Sequence, residues 1–349
     1  MTEGIATPGA GWRRADGAPA QNREKRRRRS GRRAVGEAPM VDDAEFTSYY
    51  GRPIIKAPVW KTPDVPLYLF LGGAAGSSAI LGAMADVSGR PALTRVSRLV
   101  SGGGAIASVV FLIHDLGRPE RFLHMLRVFK PTSPLSVGSY ILSPFSAAAG
   151  ATAVVELLGW FPRLKRFGGV VAALFGGPMA TYTAVLLANT AVPSWHEAHD
   201  ELPFVFAGSA MAAGGGLTMV FTPVAEAGPS RKMAVTGAAI ELAAMHKVET
   251  GHGLVSEPYH LGRAGKLLTA AKTCTAAGAG LTVLAGRTRL GAVASGTLLA
   301  AGSLLTRFGV FDAGMASARD PKYTVVPQKE RKAAREAARQ DGHASTVTR

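Results

Sequence analysis

A dense polar stretch, His114-Asp115-Leu116-Gly117-Arg118-Pro119-Glu120-Arg121, lies between two long apolar runs and continues to Lys130-Pro131-Thr132-Ser133-Pro134. Its histidine and carboxylates can take up and release protons, and its arginines can hold acidic partners. Three other groups offer similar chemistry. Asp64 and Tyr68 open the first apolar run, beside Trp60-Lys61-Thr62-Pro63. Tyr182 lies in the fourth run, which ends at Pro193-Ser194-Trp195-His196-Glu197. His246, Lys247 and Glu249 close the sixth. If every run crosses a bilayer, odd-numbered starts and even-numbered ends share one face, so the four groups can converge. Such a set suits a lipid-soluble carbonyl or hydroxyl compound such as a quinone, whose oxygens need hydrogen-bond partners and whose ring needs an apolar slot. Each group also has a plainer use. Asp115 and Arg118 fit an ion pair at a helix end, and Trp60 and Trp195 fit interfacial anchors.

The elements that must position these residues are membrane spans. Of 349 residues 47% are hydrophobic and 18% charged, and the apolar ones fall in blocks. Blocks of about 20 residues match a hydrocarbon core of about 30 Å. Eight are present, at residues 65–85, 96–113, 135–160, 168–192, 203–225, 233–248, 267–286 and 290–310. They are continuous rather than alternating, so helices satisfy the backbone in lipid. The expected fold is an all-α integral membrane protein, with about eight transmembrane helices packed as helical bundles over residues 61–312. Residues 1–60 and 313–349 read as basic tails. The sixth run is the shortest, and a tilted or interfacial helix there would change the parity. Residues 118–130 are amphipathic, with Phe122, Met125, Leu126 and Phe129 at helical spacing, which predicts a short interfacial helix.

A carboxylate inside a span is a functional candidate. Glu241 is the deepest, and His246, Glu156 and His196 join it as candidates for proton transfer. The single cysteine, Cys274, cannot by itself hold an iron–sulfur cluster or form an internal disulfide. The histidines cluster at helix ends rather than facing one another within helices, which argues against paired haem. His196, Glu197 and His199 lack the helical zinc arrangement. A redox centre would then be a bound small molecule or belong to a partner.

The formal charge of +16 resides mostly in the tails, in residues 23–33 and from Lys322 onward. Basic tails beside spans orient a membrane protein, and nucleic acid is not the expected partner. They predict both termini on the cytoplasmic side of the plasma membrane. The opposite loops argue mildly the other way, with Arg90, Arg95, Arg98, Arg163, Lys165, Arg166, Arg231, Lys232, Arg287 and Arg289. The first apolar run begins too late for a signal peptide, and Met40 is a candidate start.

Asp115-Leu116-Gly117-Arg118-Pro119-Glu120-Arg121-Phe122 and Pro131-Thr132-Ser133-Pro134-Leu135-Ser136-Val137-Gly138-Ser139 together resemble the signature of the NrfD/PsrC family. Leu69-Phe70-Leu71-Gly72-Gly73, the stretch from Tyr182 to His196, and Arg307-Phe308-Gly309-Val310-Phe311-Asp312-Ala313-Gly314 with Asp320-Pro321-Lys322-Tyr323 are similar to other parts of it. The resemblance spans residues 45–326. It implies a haem-free and metal-free eight-helix subunit of a polysulfide reductase-like respiratory complex, binding menaquinone or ubiquinone near one face. It also implies a ferredoxin-like iron–sulfur subunit with four clusters on that face, a molybdopterin catalytic subunit beyond it, and membrane lipid around it. By match to the motif, Tyr182 would contact the quinone, with His114 and Asp115 nearby at the cluster-facing rim. Asp64 and Tyr68 stand in by position for the family's first-helix ligands. Arg118, Arg121 and Arg127 would dock the partner. The chain would pass electrons between quinone pool and clusters with coupled proton exchange, and would not be catalytic alone.

Two alternatives remain open from sequence. A secondary transporter would couple ions through Glu156, Glu241 and Asp86, but should show paired broken helices; Pro144 and Pro178 have no counterpart in the second half. A purely structural membrane anchor would use none of these groups.

Overall fold

The computed structural model describes residues 54–118, 120–159 and 161–347, with side chains as far as residue 337. The arginine run at 23–33 and Met40 lie outside the described residues.

Local sequence sets the helix ends. Proline pre-forms the first turn and a left-handed glycine closes the last. Helix α1, Asp64–Val87, follows Pro63 and stops before Gly89, whose φ is +65°. Helix α2, Pro91–Leu116, ends at Gly117 with φ +69°. The amphipathic segment forms a helix, α3, only over Glu120–Met125. The rest of it turns back onto the next helix, where Tyr140 donates to the Leu126 carbonyl (2.9 Å) and Ser136 to that of Val128 (3.1 Å). Helix α4, Pro134–Leu158, starts on a proline, ends at Gly159 with φ +70°, and runs through Pro144. Helix α5, Pro162–Ala188, runs through Pro178. A short α6, Pro193–Glu197, leads to α7, Leu202–Phe221, and α8, Gly228–Gly251. A 3-10 segment, Gly253–Tyr259, precedes α9, Gly262–Ala285. Helix α10, Arg289–Arg319, is capped by the Thr288 hydroxyl, which accepts from the Gly291 N–H (3.1 Å). Helix α11 is Lys322–Val347.

Among the described residues seven helices are long and apolar enough to cross a membrane: α1, α2, α4, α5, α7, α9 and α10. Helix α8 is less apolar, yet its 24 residues reach about 36 Å, and one face of it packs along α7. With α8 the long helices that build the bundle number eight among the described residues, α11 belonging to the basic C-terminal segment, and the chain is an all-α, multi-pass membrane protein.

The helices form two four-membered groups. In the first, α1 contacts α2 and α5, and α4 contacts both of these in turn. In the second, α7 contacts α8 and α10, and α9 contacts both in turn. Helices α1 and α7 join the groups. Lipid tails are as apolar as side chains, so helix association here rests on close packing rather than on hydrophobic exclusion. Gly76 of α1 and Gly176 of α5 show this. A Cβ on either would strike the other's carbonyl oxygen. The outer surface carries Val87, Phe167, Leu174, Val283 and Leu284 exposed, as a lipid-facing surface requires.

Candidate functional site

The start of α1 and the end of α2 meet at one rim of the bundle. Asp64 is buried, and its Oδ2 lies 2.7 Å from Nδ1 of His114, whose side chain is 72% exposed. The couple therefore links an enclosed carboxylate to an accessible imidazole. Beside it, Asp115 accepts the Lys61 backbone N–H (2.8 Å), and the Lys61 ammonium donates to the His114 carbonyl (3.3 Å). These bonds satisfy groups at the open end of α2 and strap the segment before α1 across it.

That strap carries Trp60 inward. Its ring stacks on Trp195 (centroids 5.7 Å apart) and lies 6.5 Å from Phe311. Trp195 is fully buried and donates from Nε1 to the Val310 carbonyl (2.8 Å), so it is a core pillar of the rim rather than an interfacial anchor. Ser194 next to it donates to Val255 (2.9 Å) and accepts at its carbonyl from the Tyr259 hydroxyl (2.9 Å). Burial raises the Tyr259 phenol far above its usual range, which keeps it a donor. Glu249 at the end of α8 is clamped by Lys272 (2.7 Å), and His252 meets Glu201 (3.2 Å). A cavity of about 600 Å³ opens at this rim between Trp60, Phe311, Met315 and Tyr323, with the Arg263–Asp312 pair (3.3 Å) in its wall.

Tyr68 and Tyr182 lie deeper, both buried. The Tyr182 hydroxyl donates to the Pro134 carbonyl, and only a glycine at 138 leaves room for its ring. The phenol thus already has a partner and ties α5 to the start of α4. Arg118, Arg121 and Arg127 are exposed, and their side chains have no partner among the described residues.

The proton-transfer candidates are not gathered into one chain. Glu241 is buried in the second group, accepting from the Thr306 hydroxyl at 2.7 Å. His246 lies five residues on, about 140° round the helix, and is exposed. His196 is exposed as well, stacked on His199 at 6.0 Å. Glu156 lies at the opposite end of the bundle, paired with Arg98 (3.0 Å) and Lys165 (3.5 Å).

Sequence reasoning passed over Arg307. It follows Thr306, which donates to Glu241, and is fully buried. Its Nη2 donates to the Phe206 carbonyl (2.9 Å), and its guanidinium sits 3.7 Å from the centre of the Phe206 ring. Arg307 Nε and Nη1 and Glu241 Oε2 have no hydrogen-bond partner among the described residues. A lone arginine inside an apolar run was the available signal. Among the described residues no three His, Cys, Asp or Glu side chains gather as a metal site.

The family described as polysulphide reductase, NrfD, matches residues 55–247, more than half of the chain. No curated protein matches it. The chain belongs to the NrfD family, whose members are membrane subunits of quinone-linked oxidoreductase complexes.

Proposed function

We propose that this NrfD-family chain is the quinone-binding membrane subunit of a respiratory complex, and that the rim headed by Asp64 and His114 is where protons are exchanged. Electrons pass between the quinone pool and the iron–sulfur clusters of a ferredoxin-like subunit docked on Arg118, Arg121 and Arg127, with a molybdopterin enzyme beyond. The observation that carries this reading is the 2.7 Å contact between buried Asp64 and exposed His114. A carboxylate–imidazole couple of this kind can pass a proton between a site within the bundle and water.

The residues present fit a quinone in two respects. The couple offers both donor and acceptor, and the neighbouring cavity of about 600 Å³ has aromatic walls at Trp60 and Phe311 and is of ordinary ligand size. A bound quinone supplies two-electron, two-proton chemistry. Asp64 and His114 hold and release the proton, Asp115 and Lys61 keep the strap in place, and Trp60 and Phe311 exclude water. Tyr182 takes part only if its hydroxyl exchanges the Pro134 carbonyl for a ligand oxygen. Glu241 offers a proton-holding group in the second helix group. Both termini lie on the cytoplasmic side in this reading.

The test uses the intact complex, purified gently through a tag and analysed for iron, molybdenum and extracted quinone. Asp64→Asn and His114→Ala should each lower turnover of a short-chain quinol by about a hundredfold, the scale of general acid–base catalysis, with the iron-containing partner still bound. Undiminished turnover in both variants would overturn the assignment. A chain that purifies with neither quinone nor iron would overturn the function itself.

A further inference from the structure

The end of the bundle away from the rim holds two adjoining cavities that the quinone chemistry does not use. The first is a cleft of about 450 Å³ bounded by the α1–α2 and α4–α5 turns. Its basic side chains are Arg90, Arg98, Arg163, Lys165 and Arg166, against only two carboxylates, Asp86 and Glu156. Arg98 is nine-tenths buried and reaches Glu156 at 3.0 Å and Asp86 at 3.5 Å. Its Nε has no hydrogen-bond partner among the described residues. Arg166 also holds Asp86 (2.9 Å), and Lys165 holds Glu156 (3.5 Å). Both carboxylates are thus already shared among three cations. Arg90 reaches only the Ser88 hydroxyl (3.1 Å), and neither Arg90 nor Arg163 has a carboxylate partner among the described residues.

Arg90 also lines the second cavity, a groove of about 670 Å³ between α1, α5, α7 and α8. Its walls include Ile80, Leu81, Met84, Met211 and Met233, its mouth has Lys232, and no carboxylate lines it. From Met84 to Ser77 the groove follows α1 for about 10 Å into the apolar zone.

The chemistry selects the occupant. A free anion would use the cations and leave the apolar groove unfilled. A neutral ring would fill the groove and leave the cations unmatched. Clustered Arg and Lys side chains match a phosphodiester by charge-assisted hydrogen bonds, and an apolar groove between helices matches an acyl chain. We propose that the two cavities form a site for one anionic diacyl phospholipid. Its phosphate lies between Arg90 and Lys232, its head group is turned toward Arg163, and an acyl chain runs down the groove past Leu81 and Met211.

The full-length protein in phosphatidylcholine nanodiscs containing a minor fraction of phosphatidylglycerol tests this, with bound lipid counted by native mass spectrometry. The wild type and Arg95→Ala, an exposed cation at the same end outside both cavities, should retain one phosphatidylglycerol. Arg90→Ala with Lys232→Ala should weaken retention by about thirtyfold, from about fivefold for each cation near a membrane surface. Ala207→Leu, which fills the groove without changing charge, should weaken it too. If the double variant does not fold, Lys232→Glu at its exposed position should give a loss of the same sign. Equal retention in all variants, equal retention of phosphatidylcholine, or full displacement by inorganic phosphate alone would each overturn the proposal.

Discussion

Arg307 of α10 and Glu241 of α8 place two ionisable side chains inside the bundle, where an unpaired charge is costly. The consequence can be measured. Arg307→Ala removes the fully buried guanidinium that bonds the Phe206 carbonyl and should destabilise the bundle by about 1–3 kcal/mol. Replacing both residues, as in Glu241→Gln with Arg307→Met, should recover part of that loss if the two act on each other, because two buried ionisable groups are then removed together. Reversible unfolding in mixed micelles, taken through all four members of the cycle, gives the coupling. Additive losses would mean that the two residues do not act as a pair. At this scale the sequence was uneven. Asp64 and His114 could be brought together in advance, because odd starts and even ends of spans share a face whatever the packing. The partners of Glu241 and Arg307, Thr306 and Phe206, could not, since they depend on which helices touch and on their rotation. Tyr182 was visible as a candidate quinone contact, but not as a hydroxyl already bonded to the Pro134 carbonyl.

At the scale of the element, span positions were legible because lipid makes apolar length the dominant signal. Helix α8 was the weak one for a physical reason. It begins with Arg231 and Lys232 at an interface and turns Glu241 inward, so its polar residues are satisfied by position rather than replaced by apolar ones. The contact of Gly76 with Gly176 sets how closely α1 and α5 can approach, and Gly76→Leu should separate them and lower stability by about 1–3 kcal/mol or more. An unchanged melting temperature in detergent would show that the crossing tolerates a side chain. The start of α11 gives a second prediction. Lys322 and the Tyr323 hydroxyl reach Glu257 at 2.9 Å and 3.2 Å. The Lys322 ammonium, followed by Tyr323, holds the Glu257 carboxyl below its usual range, and Glu257 raises Lys322 above its own. The lowered carboxyl contributes above the ordinary Glu value of about 4.3, and that contribution is lost as pH falls through the lowered value. The raised ammonium contributes below about 10.4 and is lost as pH rises past that. Hydrogen exchange in the first turn of α11 should therefore be slowest relative to its intrinsic rate across the middle of the pH scale and lose protection toward both extremes. The change should be small, since both side chains are more than a third exposed.

For the whole molecule, the remaining question is how many times the chain crosses and from which side. The single native thiol, Cys274, lies in α9 and can be removed as Cys274→Ser without disturbing a described polar contact. On that background, new cysteines at Ser88 and Arg287 report one end of the bundle, and cysteines at His124 and Thr250 report the rim. All four positions are exposed. Eight crossings require Ser88→Cys and Arg287→Cys to label together, and His124→Cys and Thr250→Cys to label together from the other side. If Thr250→Cys instead labels with Ser88→Cys, α8 does not cross, and the second helix group must sit in the bilayer differently from the first. The same reagent applied to intact cells fixes the side. With the termini cytoplasmic, only the Ser88 and Arg287 positions should react with an impermeant maleimide. The basic loops at that end favour the reverse, but part of their charge is already engaged within the fold: Arg98 and Arg166 bind carboxylates, and Arg231 and Arg289 bind the carbonyls of Val224 and Thr222 in the turn after α7. Labelling of the rim positions from outside would reverse the orientation and place the proposed iron–sulfur partner on the outer face of the membrane, while leaving the Asp64–His114 couple at the same rim.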